Sequence, residues 1–118
     1  MKFQQRVQAW LMECFSMEIC RDTQERCHRL TEESLELVQS LGMTASEAHQ
    51  LVDYVYNRPV GDTAQEVGGV MNTLAALCSA VDIDMETAGD IELVRCWKNI
   101  DKIRAKQAAK PKYLPLPQ

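Results

Sequence analysis

Apolar side chains recur along this chain at helical rather than strand spacing. Phe3, Val7, Trp10, Leu11 and Phe15 fall on one helical face and predict a first helix over about residues 2–17. Asp22 followed by Glu25 has the spacing of a capping box. It opens a second predicted helix that ends near Gly42 and gathers Cys27, Leu30, Leu37, Val38 and Leu41 on one face. Thr44 and Glu47 form another such box before a third helix through Ala48, Leu51, Val52 and Val55 to about Asn57. Arg58-Pro59-Val60-Gly61-Asp62 interrupts the pattern, as Pro and Gly do. A fourth helix is predicted from Thr63 to about Val81, with Val67, Val70, Met71, Leu74, Leu77 and Cys78 facing inward. A fifth, capped by Asp84, runs from Met85 to about Gln107.

The expected fold is therefore all-α, an antiparallel bundle of about five helices with short connections, as one domain over residues 1–107. A Pro/Lys-rich tail, 108–118, cannot continue the last helix. With 118 residues, one domain is the natural reading, and its modest core would gain from pairing with a second copy as a dimer or tetramer. No run of about 18 apolar residues predicts a membrane span, and MKFQQRVQAW lacks the apolar stretch of a leader, so the expected location is cytoplasmic. Five cysteines, an odd number without a CxxC pair, predict reduced and mostly buried thiols. Trp10 and Trp97 lie in apolar helical patterns and are expected in the core or an interface.

The net charge of −4 is unevenly spread. Between residues 98 and 112, Lys98, Lys102, Arg104, Lys106, Lys110 and Lys112 face only Asp101, which makes the segment locally +5 and the remainder −9. Nucleic acid is a poor partner for so acidic a body. The basic segment reads either as a solvated tail or as the counterpart of an anionic ligand.

Candidate chemistry lies in LTEESLELVQ. Glu33 and Glu36 are i and i+3 and emerge one turn apart on the same helix edge. Glu33 sits roughly 90° from the centre of the apolar stripe, and Glu66 roughly 80° from that of its own helix. Antiparallel packing would bring these three carboxylates to one groove, the kind of hard oxygen set that Mg²⁺ takes together with substrate phosphates. The plainer reading is a solvated face in which Arg29, four residues from both Glu25 and Glu33, forms salt bridges. On that reading Glu66 is the capping-box glutamate of Thr63.

HRLTEESLELVQSLG, followed after about 30 residues by QEVGGVMNTLAALCSAVDIDMETA, resembles the MazG-like all-α nucleoside triphosphate pyrophosphohydrolases. Their pattern is EExxE on one helix and ExxD on the next long one, and VxxTLxAL followed by IDxExA is similar to their second half. The resemblance covers roughly residues 25 to 107. It implies a Mg²⁺-dependent (alternatively Mn²⁺-dependent) enzyme that cleaves a nucleotide between the α- and β-phosphates, leaving a monophosphate and pyrophosphate. By position it makes Glu33, Glu36 and Glu66 metal ligands and Glu32 with Glu33 the catalytic acids, Glu32 orienting the attacking water. It also makes Arg95, Lys98, Asn99, Lys102 and Arg104 the set that meets the substrate's phosphates or base.

One position departs from the pattern: Gly69 stands where the family has the Asp of ExxD. Thr73 shares that stripe and would hold only a water, and Asn72 projects further round. The alternative expectation is thus a catalytically impaired nucleotide- or protein-binding member of the same fold. Two consecutive mid-helix glycines, Gly68 and Gly69, cost about 1 kcal/mol each against alanine. They suggest either close helix packing or room for a ligand.

Overall fold

The start signals at Asp22, Thr44 and Asp84 place a side-chain acceptor on the backbone N–H three residues on, and the stops decide how many helices result. The computed structural model of the chain describes residues 1–109 and 114–116. Among them lie seven helices and no strand, so the fold is all-α. The helices are α1 (Phe3–Cys14), α2 (Met17–Cys20), α3 (Thr23–Ser40), α4 (Ala45–Tyr56), α5 (Thr63–Ala80), α6 (Met85–Lys98) and α7 (Ile100–Ala109).

The first predicted helix is two. Phe15 is extended, and the Ser16 hydroxyl accepts from the Ile19 N–H at 3.3 Å, a cap that starts α2. The last predicted helix also divides: Asn99 turns its side-chain amide onto the Arg95 carbonyl at 2.9 Å, separating α6 from α7. Competition by Asn and Ser side chains for backbone groups explains both breaks.

Elsewhere the signals hold. Asp22 accepts from the Glu25 N–H, and Thr44 and Glu47 complete their reciprocal box. α3 ends in a Schellman motif, with Gly42 at φ +94°, its N–H on the Gln39 carbonyl and the Met43 N–H on the Val38 carbonyl. α5 ends the same way on Asp82, at φ +58°, with the Ile83 N–H on the Cys78 carbonyl. α7 extends to Ala109, two residues into the expected tail. Leu114–Leu116 are exposed, and Lys110 and Lys112 lie outside the described residues.

The chain forms two compact units. The first comprises residues 1–36 and 90–118; the second comprises residues 37–89. In the first, α1 packs on α2 and α7, and Cys14, Cys20 and Leu93 are its buried apolar residues. The Trp10 and Phe15 rings meet edge-on at 6.4 Å, and Arg6 ties α1 to Asp90 at 2.6 Å. In the second, α4 and α5 bury no residue at all.

The predicted core is therefore largely uncovered. Leu51, Val52, Val67, Val70 and Met71 are each about half exposed, as are Leu30 and Leu41, and Trp97 is exposed too. Periodicity reports that a helix has an apolar stripe; it does not report what covers it. No single helix among the described residues is long and apolar enough to cross a membrane. All five thiols are free, with Cys14 and Cys20 buried, Cys78 and Cys96 half-buried and Cys27 exposed.

Candidate functional site

The acidic edge of α3 is sorted by one arginine. Arg29 donates to Glu32 at 2.8 Å and lies 3.4 Å from the buried Glu25 carboxylate, so its partners are these two rather than Glu33. Its terminal nitrogen also donates to the Pro115 carbonyl. Glu32 is thereby a paired carboxylate. Glu33 and Glu36, the i, i+3 pair, form no ion pair among the described residues.

Glu33 has a further neighbour from the first unit. Partial desolvation raises its carboxyl above the ordinary glutamate value, and repulsion from Glu36, Glu32 and then Glu92 of α6 adds to the rise. Arg95 opposes it. Glu92 is itself held low by Arg95, whose Nε donates to both its oxygens at 2.8 and 3.1 Å, while the Cys96 thiol donates at 3.7 Å. The same fork raises the Arg95 guanidinium. Glu33, with its carboxyl raised, thus stands in the field of the Glu92–Arg95 pair. Burial pushes the Cys14 and Cys96 thiols up, which keeps both as poor nucleophiles.

Glu66 belongs to the second unit. Asp62, not Thr63, is the cap of α5, accepting from the Gln65 N–H at 3.0 Å. Glu66 is therefore one position past the capping-box site, and its carboxylate folds back over Gly61 instead. A Cβ added at Gly61 would stand 2.9 Å from Glu66 Oε1. Among the described residues, a Cβ at Gly68 or Gly69 would meet nothing within 4 Å, so neither glycine serves close packing there. Thr73 donates its hydroxyl back to the Gly69 and Val70 carbonyls, at 2.9 and 3.1 Å.

The expected phosphate-binding set divides. Arg95 is the member within the field of Glu33. Asn99 is spent on the Arg95 carbonyl. Arg104 donates to the Glu13 and Cys14 carbonyls at the end of α1, and lies 3.8 Å from Asp101 and 3.9 Å from Glu13. That is a C-terminal helix cap. Lys98 and Lys102 form no ion pair among the described residues.

Among the described residues, no group of three or more His, Cys, Asp or Glu side chains is gathered closely enough to hold a metal ion by itself. What α3 and α6 offer is hard oxygen donors without a finished cage, the donor chemistry of Mg²⁺, which keeps waters and takes phosphate oxygens to complete its shell. Sequence reasoning missed Glu92, having read its helix for cations; the signal was the i, i+3, i+4 spacing of Glu92, Arg95 and Cys96. Compared with family models, curated proteins and solved structures, the chain matches none.

Proposed function

We propose that this chain is a Mg²⁺-dependent nucleoside triphosphate pyrophosphohydrolase of the MazG-like kind, releasing a monophosphate and pyrophosphate. The observation that carries the reading is the strained carboxylate edge. Glu33 and Glu36 form no ion pair among the described residues, and the Glu33 carboxyl is raised by desolvation and then by three neighbouring carboxylates, against the pull of Arg95. A divalent ion relieves that repulsion, and Mn²⁺ would substitute for Mg²⁺. On this reading Glu33 and Glu36 bind the metal, and Glu66 is the further ligand that the resemblance implies. Glu32, released from Arg29, orients the water, and Arg95, Lys98 and Lys102 answer the phosphate charge. The antiparallel bundle would be completed by a second copy, whose helices cover the exposed stripes of α4 and α5. Light scattering should then report a dimer or tetramer, and a monomer at micromolar concentration would contradict that assembly.

The functional test is pyrophosphate release from a panel of ribo- and deoxyribonucleoside triphosphates, with Mg²⁺, with Mn²⁺ and with EDTA. Metal-dependent release of pyrophosphate supports the reading; release of orthophosphate instead, or no release, opposes it. The second reading is a binding protein without turnover. It is favoured by the open, uncharged space at Gly69 and by the capture of Glu92 by Arg95. Calorimetric nucleotide binding without any product would select it.

A further inference from the structure

The first unit carries an open groove of about 500 Å³ on the side of α1–α3 that faces residue 21. It is lined by Gln8, Cys20, Arg21, Thr23, Arg26, Cys27 and Leu30. That volume lies within the roughly 300–1,000 Å³ of small-molecule sites. In a chain of net charge −4, it concentrates two guanidinium groups beside two neutral side chains able to donate hydrogen bonds, the Thr23 hydroxyl and the Gln8 amide.

The two arginines are not spent elsewhere in full. Arg21 is exposed, and its side chain forms no hydrogen bond or ion pair among the described residues. Arg26 lies over the Phe15 ring at 6.0 Å, with one terminal nitrogen 3.6 Å from Glu25. This fixes the plane of its guanidinium, while its Nε–H is shielded from water and has no acceptor. The opposing charges are Asp22, which gives one oxygen to the Glu25 N–H, and Glu25, which is drawn to Arg26 and Arg29. They leave the Arg21 guanidinium, which lines the groove, without an ion pair among the described residues.

We infer that this groove binds a small phosphomonoester. The dianionic phosphate would sit between Arg21 and Arg26, and its organic part against Leu30, Cys20 and Cys27. A dianion matches two cations, and its three terminal oxygens match guanidinium, hydroxyl and amide donors together, which a carboxylate does not. The site needs no metal and does not rest on the pyrophosphohydrolase reading.

Cys27 is exposed and lines the groove, so it reports occupancy directly. The experiment follows iodoacetamide labelling of Cys27 in the full chain by peptide mass spectrometry, in EDTA, with ribose 5-phosphate, ribose or acetate added at equal ionic strength. Ribose 5-phosphate should slow labelling severalfold, while ribose and acetate should not. Arg21→Gln, a substitution at an exposed inter-helix position, should weaken the half-protecting concentration by about tenfold or more, as expected for loss of a charge-assisted bond. Glu36→Gln should protect as the wild type does. Absent protection, equal protection by ribose, or unchanged protection in Arg21→Gln would each overturn the inference. A dependence on Glu36 would overturn it too, because the anion would then belong to the carboxylate edge.

Discussion

Glu33→Gln should strengthen the fold while removing a function, and the two effects have opposite signs for one physical reason. The Glu33 carboxyl is raised in the folded chain by desolvation and by Glu36, Glu32 and Glu92. A carboxyl whose folded value exceeds its unfolded value, roughly 4.3, binds more protons folded than unfolded. Stability therefore falls as pH rises through that window, and the penalty is complete above the folded value. The glutamine removes the like-charge pair with Glu36 one turn on, worth about 0.2–0.5 kcal/mol at an exposed helical position. Glu32 and Glu92 add less, being paired to Arg29 and Arg95. Urea denaturation should thus show a gain of about 0.5 kcal/mol at pH 7, shrinking toward zero at about pH 4. In the wild type, Mg²⁺ should raise stability by about 2.7 kcal/mol at a hundredfold excess over its dissociation constant, and in Glu33→Gln most of that rise should vanish. A variant that is destabilised at pH 7, or equally stabilised at pH 4 and pH 7, would refute the electrostatic account of this edge.

Gly69→Asp places a carboxylate in open space one turn from Glu66. It should tighten Mg²⁺ about tenfold, or about 1.4 kcal/mol by calorimetry, and unchanged affinity would remove this position from the metal site. Asp82→Gly relieves a left-handed residue at the end of α5 and should raise urea stability by about 0.5–1 kcal/mol; a loss would mean that the Asp82 side chain supports the turn. Arg104→Ala uncaps the Glu13 and Cys14 carbonyls and should cost about 1 kcal/mol of stability while leaving pyrophosphate release intact. A fall in turnover at unchanged stability would return Arg104 to the substrate.

Helix class and starts were legible because capping chemistry is local. Asp22, Thr44 and Asp84 each accept from the backbone N–H three residues on, and Gly42 takes the left-handed position. The breaks at Phe15–Ser16 and Asn99 were not legible, since the apolar period runs on through both while a polar side chain takes over a backbone group. Glu33 and Glu36 were legible as a pair because i, i+3 spacing fixes their common edge. Glu92 was not, because its approach to Glu33 depends on how α6 meets α3, and the contact of Arg104 with the end of α1 was not, because a basic last helix looks alike whether it faces phosphate or a helix end. The inward faces of α4 and α5 were legible as stripes, but among the described residues they stay largely exposed.

The most direct measurement is a crystal soaked with Mg²⁺ and a non-hydrolysable nucleoside triphosphate analogue. The account predicts density for a metal held by Glu33 and Glu36, with triphosphate oxygens completing its shell and Arg95 turned from Glu92 toward the phosphates. A triphosphate bound away from the α3 carboxylates, or a metal that leaves Glu33 and Glu36 untouched, would contradict it.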